Sequence, residues 1–208
     1  MTAVPKKQFF STEAEYLELE RAAEYKSEYY DGEIFAMAGA KFAHNCVKDN
    51  LVIELGRRFK GGPCRTLSSD MRVNIPRVKA YAYPDILIVR GEPIFLDDKK
   101  DTLLNPAVII EVLSPSSESF NRRGKFRRYQ KIDTLREYIL VAQDEPLCER
   151  FVRSEDDSWI LTTFDDPAGN FALATISVRI PMADIYRGVE FPEHPPSDRP
   201  LGRRDIPR

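Results

Sequence analysis

The sequence predicts an α/β fold in which helices and short strands alternate along one domain, followed by an antiparallel C-terminal meander. Three observations predict it. Apolar residues recur at helical spacing in the N-terminal third, short oily runs rich in β-branched residues fill the middle, and beyond Glu145 brief runs alternate with Asp-Asp-Pro and Gly-Asn turns.

Ser11-Thr12-Glu13-Ala14-Glu15 reads as a helix start, with Ser11 or Thr12 as the cap and acids in the first turn. Tyr16, Leu19 and Ala23 give that helix an apolar face to about Glu24. Tyr29-Tyr30-Asp31-Gly32-Glu33-Ile34-Phe35 places an Asp-Gly turn between strand-like flanks, the signal of a hairpin. A second helix is predicted from about Phe42 to Lys60, carried by Val47, Leu51, Leu55 and Phe59 and stopped by Gly61-Gly62-Pro63. Strands follow at Arg65–Ile75, Pro84–Val89 and Ala107–Leu113, then a helix at Lys125–Ile132 and a strand at Glu137–Ala142. Cys148–Arg153, Trp159–Phe164 and Phe171–Thr175 form the meander, and Pro181–Tyr186 a last helical turn. From Pro192 the apolar pattern stops, and five of the chain's 15 prolines fall in the last stretch, a tail that is extended or disordered unless it docks on a partner.

At 208 residues the chain is long enough for one sizeable domain. Hydrophobic residues at 42% and charged residues at 31% describe a soluble globular protein. With a net charge of −2, any contact with a polyanion must come from a local basic patch. Cys46, Cys64 and Cys148 lack paired spacing, which argues for a reducing compartment and against a zinc ribbon. The start, Met1 to Lys7, has no apolar run of the signal-peptide kind, and no stretch approaches the roughly 18 apolar residues of a membrane helix. A cytoplasmic protein without membrane contact is expected.

Asp85 and Glu111, 26 residues apart, are the two residues their strands do not want. Asp is depleted in strands, and an unpaired buried carboxylate costs several kcal/mol. Strands lie about 4.8 Å apart, so acids on one face of neighbouring strands can share a hard cation such as magnesium. The plainer alternative is that each acid caps a strand end or pairs with an arginine. Arg122 to Lys131 holds six basic residues and no acid. On a helix, Tyr129 and Ile132 pack inward, Lys125 sits near the inner face, and Arg123 and Arg127 point outward where they can meet phosphates. A solvated basic face is the bland reading of the same run. Glu33, His44 and Asp70 are weaker candidates singly, and His194 lies in the proline-rich tail, which makes a two-histidine metal site a poor expectation. No phosphate loop, Gly-x-Ser-x-Gly elbow or His-Glu-x-x-His motif is present. Ser114-Pro115-Ser116-Ser117 has no partner histidine and reads as a turn.

Several short segments in order now resemble the Uma2 family, restriction-endonuclease-like proteins of the PD-(D/E)xK nuclease superfamily. They are Tyr30-Asp31-Gly32-Glu33, Ala38-Gly39-Ala40 with His44-Asn45, Ser69-Asp70-Met71-Arg72-Val73, Tyr83-Pro84-Asp85 and Leu104-Asn105-Pro106. Glu111-Val112-Leu113-Ser114-Pro115-Ser116, Lys125-Phe126 with Tyr129, Leu135-Arg136-Glu137-Tyr138 and Ile185-Tyr186 continue the match. The resemblance implies a restriction-endonuclease-like domain over residues 1–188, with a central mixed sheet flanked by helices and a tail over 189–208. It implies metal-dependent hydrolysis of phosphodiester bonds, with Asp85 and Glu111 binding Mg²⁺ (or Mn²⁺ in its place), Lys125 as catalytic cation and Glu33 as a further acid. His44, Asp70, Arg123 and Arg127 are the expected substrate contacts. Leu113 stands where the strand lysine of the superfamily motif would be, and Lys125 resembles its displaced equivalent. Nucleic acid, DNA ahead of RNA, is the expected partner, and a homodimer is one expectation because superfamily nucleases that cut duplexes often dimerise. The alternative is a nuclease-derived module that binds nucleic acid or protein without cutting.

Overall fold

A computed structural model describes residues 8–9, 12–114, 118 and 120–192. Its elements stack in four layers: α1, a first sheet, a second sheet, and α2 with the C-terminal elements. The first sheet has the order β1 (Gln8–Phe9), β3 (Glu33–Ala36), β2 (Ser27–Tyr30), β6 (Ala80–Ala82), β5 (Arg72–Ile75) and β8 (Thr102–Leu103). In the second the order is β12 (Trp159–Phe164), β11 (Cys148–Arg153), β10 (Glu137–Ala142), β9 (Val108–Leu113), β7 (Ile86–Arg90) and β4 (Cys64–Ser68). Each sheet is mixed: β5 runs parallel to β8 and β9 parallel to β10, and the other pairings are antiparallel. The mixed, helix-flanked architecture is therefore present, divided between two sheets.

Local sequence explains the elements that bear on function. Thr12 caps α1 (Glu13–Ala22) in a capping box with Glu15; Ser11 lies outside the described residues. Its buried face is Tyr16 and Glu20, while Leu19 is exposed. The reason is Tyr16, which stacks with Tyr29 and Tyr81 on the outer face of the first sheet and donates to the Ser27 carbonyl at 2.6 Å. Asp31 and Gly32 both take positive φ (46° and 95°), the turn that the β2–β3 hairpin demands. α2 (Phe42–Phe59) buries Val47, Leu51, Leu55 and Phe59, and Gly61 ends it in the left-handed region.

Two expectations are corrected. The single strand over Arg65–Ile75 is two, β4 and β5, in different sheets; Ser69 and Asp70 are turn formers, and a Met71 N–H to Ser68 carbonyl bond closes the turn between them. The Phe171 strand does not continue the β10–β11–β12 meander. As β13 (Asn170–Leu173) it pairs with β14 (Val178–Pro181) in a separate hairpin whose Phe171, Leu173 and Ile180 fill the core beneath α2. α3 (Phe126–Tyr129) follows directly on a π-helical turn over Phe120–Lys125, and α4 spans Met182–Ile185. Of the tail, residues 193–208, including His194, lie outside the described residues; Val189 packs on the core and Phe191 lies against the Tyr186 ring.

The second sheet separates the two large cores. Ile86, Ile88, Val108, Ile110 and Val112 face α2 and the C-terminal hairpin. Leu87, Val89, Ile109, Leu113 and Tyr138 face the first sheet and α3. Period-two alternation then places both Asp85 and Glu111 on the side toward the first sheet.

The C-terminal hairpin is tied to the second sheet by a fully buried acid. Glu137 accepts from the Ala174 and Thr175 N–H groups at 2.9 and 3.0 Å. Glu137→Ala leaves both donors unpaired and is expected to lower stability by about 2–4 kcal/mol in urea titration. An unchanged midpoint would show that the hairpin docks without this anchor.

Candidate active site

Asp85 and Glu111 meet because of register. Ile86 faces Ile110 across the antiparallel β7–β9 pair, so the next step outward sets Asp85 opposite Glu111. Directly opposed side chains have Cβ atoms about 5 Å apart. The Val112 N–H donates to Asp85 Oδ2 at 2.8 Å, which ties the start of β7 to β9. On the other side His44 Nε2 lies 3.2 Å from the same oxygen, brought by the first turn of α2 around the end of the sheet. His44 Nδ1 is buried without a hydrogen-bond partner among the described residues.

Lys125 closes the cluster. Its Nζ is 3.2 Å from Glu111 Oε1 and 2.9 Å from Glu28 Oε1, joining β9 of the second sheet to β2 of the first. The Tyr129 hydroxyl donates to Glu111 Oε1 at 2.9 Å, and the Tyr30 hydroxyl to Glu28 Oε2 at 2.8 Å. Glu28 Oε1 also accepts from the Tyr83 N–H at 3.1 Å. Burial, and then the nearby carboxylates, raise both tyrosines well above the ordinary phenol range, so they remain donors. Lys125 is aimed by its neighbours: Phe126 stacks on Tyr138 at 4.9 Å and packs on Phe151 and Trp159. Gly124 lets the Phe120 ring lie on the backbone, where an added Cβ would come within 2.7 Å of it. A π-helical turn at this place is itself uncommon, and such turns gather at functional sites.

Three carboxylates against one ammonium leave the cluster negative. Burial pushes the Glu111 carboxyl up to about 7; Lys125 opposes that shift and Asp85 adds to it. Burial also works against the Lys125 charge, but Glu111 and Glu28 outweigh it and hold the ammonium above its ordinary range. For Asp85, burial is outweighed by His44, the Val112 N–H and Lys125, so it ionises below the usual range. The two opposed acids are therefore pushed in opposite directions, a pattern common to acid–base and metal chemistry. The side chains of Glu111, Glu28 and Lys125 are 3%, 8% and 9% exposed, against 13% for His44 and 17% for Asp85. The site therefore opens at its Asp85–His44 end.

Of the residues singled out in the sequence, the fold brings His44, Asp85, Glu111 and Lys125 together. Arg123 and Arg127 are exposed on the outer side of the basic segment. Glu33 heads β3 opposite Tyr30, at the turn end of the hairpin that carries Glu28. Asp70 stands outside the buried cluster: its carboxylate is 87% exposed and pairs with Lys26 at 2.7 Å. Glu28 joins this cluster without having been singled out in the sequence, and Tyr129, read there as packing inward, meets Glu111. Glu28 follows the polar pair Lys26-Ser27, so it lacks the oily flanks that marked Asp85, and it shares a strand face with Tyr30 two residues on.

With this geometry in hand, comparison with known proteins is decisive at the family level. The Uma2 sequence profile, described as "Putative restriction endonuclease", matches residues 13–182. The chain belongs to the Uma2 family. Two relatives come from Synechocystis sp. (strain ATCC 27184 / PCC 6803 / Kazusa). "Uncharacterized protein slr1290" is 30% identical over 179 residues, covering 85% of this chain and 92% of its own. "Uncharacterized protein sll1609" is 38% identical over 151 residues, covering 73% and 85%. A solved structure from Anabaena variabilis ATCC 29413, titled as a putative nuclease belonging to DUF820, superposes with a TM-score of 0.69. That match covers 83% of this chain and 96% of the other at 19% identity, and it supports the fold alone. This Uma2 protein thus shares its fold with that solved structure and its family with the two Synechocystis proteins. No helix among its described residues is long and apolar enough to cross a membrane.

The raised Glu111 carboxyl gives stability a definite pH slope. Its ordinary value is 4.5 and its folded value about 7, so between these the unfolded chain loses the proton first. Stability should therefore fall as pH rises from about 4.5 to about 7 in metal-free buffer, and Glu111→Gln should flatten that slope. Thermal melts across this range check it; an identical slope in the variant would assign the effect to another group.

Proposed function

We propose that this Uma2 protein is a divalent-cation-dependent nuclease that hydrolyses phosphodiester bonds, DNA ahead of RNA, at the Asp85–Glu111–Lys125 cluster. The observation that carries the reading is the pair of opposed carboxylates on β7 and β9 with a buried ammonium hydrogen-bonded beside them. A pair of acids this close repel each other, and a cation between them relieves that repulsion. Among the described residues no group of three or more His, Cys, Asp and Glu side chains is arranged as a metal cage. Magnesium does not need one: it commonly takes one or two carboxylates and fills its other positions with water and substrate phosphate. Asp85 and Glu111 would hold it, each with one oxygen already fixed, Oδ2 by His44 and the Val112 N–H, Oε1 by Tyr129 and Lys125. When bound, the ion would polarise the phosphate and lower the pKa of its water.

The remaining work falls to the side chains. Lys125, kept protonated by Glu28 and Glu111, would orient the attacking water or meet the charge that develops on the scissile phosphate. Glu28 keeps that ammonium in place and is a positioning residue. His44 steadies Asp85 and would stand nearest an incoming phosphate, since the site opens at that end. Arg123 and Arg127 would neutralise flanking phosphates, a contribution that weakens with salt.

The test is cleavage of labelled oligonucleotides with Mg²⁺ or Mn²⁺. Asp85→Asn and Glu111→Gln should each lower turnover by about 100-fold or more, and Lys125→Met by a similar factor with substrate affinity little changed. Arg123→Ala and Arg127→Ala should instead weaken binding and flatten its salt dependence. Wild-type protein that binds nucleic acid without any metal-dependent cleavage, with Lys125→Met merely binding less well, would make the chain a non-cutting module.

A further inference from the structure

We propose that Lys26 and Lys48 form a seat for a backbone phosphate of the substrate at the mouth of the cluster, and that the Asp70 carboxylate sits in the place this phosphate takes. The proposal rests on the nuclease reading above and names the residues that would hold the strand beside the scissile bond.

Three elements bring these groups to the Asp85–His44 end. Lys48 lies one helical turn beyond His44 on the same face of α2, and His44 is 3.2 Å from Asp85. Lys26 precedes β2, and its carbonyl accepts from the Met37 N–H, so the β2–β3 ladder continues to it. Period-two alternation then puts Lys26 on the strand face that carries Glu28. Its Nζ lies 5.5 Å from the centre of the Tyr83 ring. The Tyr83 N–H donates to Glu28, and Asp85 follows two residues later. Asp70 comes from the turn between β4 and β5 and pairs with Lys26 at 2.7 Å. Lys26 holds the Asp70 carboxyl below the usual carboxylate range and Lys48 adds to the shift, so the carboxylate lies in the field of both ammoniums.

Lys48 carries the unmet charge of the group. Its side chain is 17% exposed, yet among the described residues its nearest acceptors are Asn45 Oδ1 at 3.5 Å and Asp49 Oδ1 at 3.7 Å. A mostly desolvated cation without a close counter-ion is costly, and an anion brought beside it relieves that cost. Lys26, by contrast, is fixed in place, because it donates to the Ser69 carbonyl at 3.0 Å as well as to Asp70.

Asp70 is the replaceable member. Its side chain is 87% exposed, and a pair this open to water contributes little to stability. A phosphodiester carries one negative charge, as Asp70 does, so the exchange is charge for charge. The buried cluster is itself negative, so a phosphate that approaches Asp85 needs cations at the entrance. Lys26 and Lys48 stand there, one on the first sheet and one on α2.

The experiment is fluorescence anisotropy with full-length protein in Mg²⁺-free buffer. The probes are labelled oligothymidylate of about 20 nucleotides and the same strand paired with oligodeoxyadenylate, and the variants are followed on whichever binds tighter. Lys26→Gln and Lys48→Gln should each weaken binding about fivefold or more and lower the slope of log affinity against log salt by about one, while Lys48→Arg retains both. Asp70→Asn should bind about threefold or more tighter than wild type. Glu92→Gln removes an equal charge two residues beyond the other end of β7 and should change nothing, which separates a local seat from net charge. With Mg²⁺ present, Lys48→Gln should raise KM and leave kcat within about twofold, because a flanking contact binds substrate and transition state alike. Lys48→Gln with wild-type affinity and slope, or Asp70→Asn no tighter than Glu92→Gln, overturns the proposal, and so does wild-type protein that binds neither probe. A lowered melting temperature in Lys48→Gln would leave the decision to Asp70→Asn, whose side chain is largely in water. Asp85-dependent cleavage with a KM that ignores Lys48→Gln overturns the seat while the nuclease reading stands. Binding that responds to Lys48 and Asp70 with no cleavage supports the seat and removes the nuclease reading.

Discussion

The ammonium of Lys125 is buried where two sheets meet, and a charge in that position is tolerated only because a carboxylate from each sheet receives it. Glu28 comes from β2 of the first sheet and Glu111 from β9 of the second. The interaction is therefore a clasp across the inter-sheet core as well as part of the candidate chemistry. Its remaining polar atoms are met by Tyr30, Tyr129 and the Tyr83 N–H. Replacing any one member strands the others in a low-dielectric interior, which is why the cluster behaves as a unit.

Around that clasp the fold distributes two demands among different elements. α2 and the C-terminal hairpin supply apolar burial on the far face of the second sheet, which keeps β7 and β9 rigid. The near face can then hold polar groups at some cost to packing. Asp85 sits just before β7 begins, tied to β9 through the Val112 N–H, and that position at the strand's end lets it look both inward to Glu111 and outward to solvent.

Sequence carried part of this plainly. The Asp31-Gly32 turn was legible because two consecutive positive φ angles demand those residues. The limits of α2 were legible because periodicity and the glycine stop agree. Asp85, Glu111 and Lys125 stood out because a charge in oily sequence is locally expensive. Glu28 did not, since Lys26-Ser27-Glu28 is a polar run in which one more acid is unremarkable, and only the second sheet turns that strand face into an interior. The division into two sheets was illegible for a related reason: period-two patterning marks a strand but not its neighbours, so the turn at Ser69–Met71 read as continuous strand. The same limit joined Phe171 to a meander it does not enter.

The parallel pairing of β9 with β10 has a consequence for synthesis on the ribosome. β9 has no second neighbour until Glu137–Ala142 has emerged, and Lys125 lies on the crossover between the two strands. Such non-local pairing forms late, after local hairpins such as β2–β3. A nascent chain therefore lacks the Lys125 link between Glu28 and Glu111 until that crossover has been made. The clasp, and any activity it supports, can arise only once the β9-to-β10 crossover has folded back.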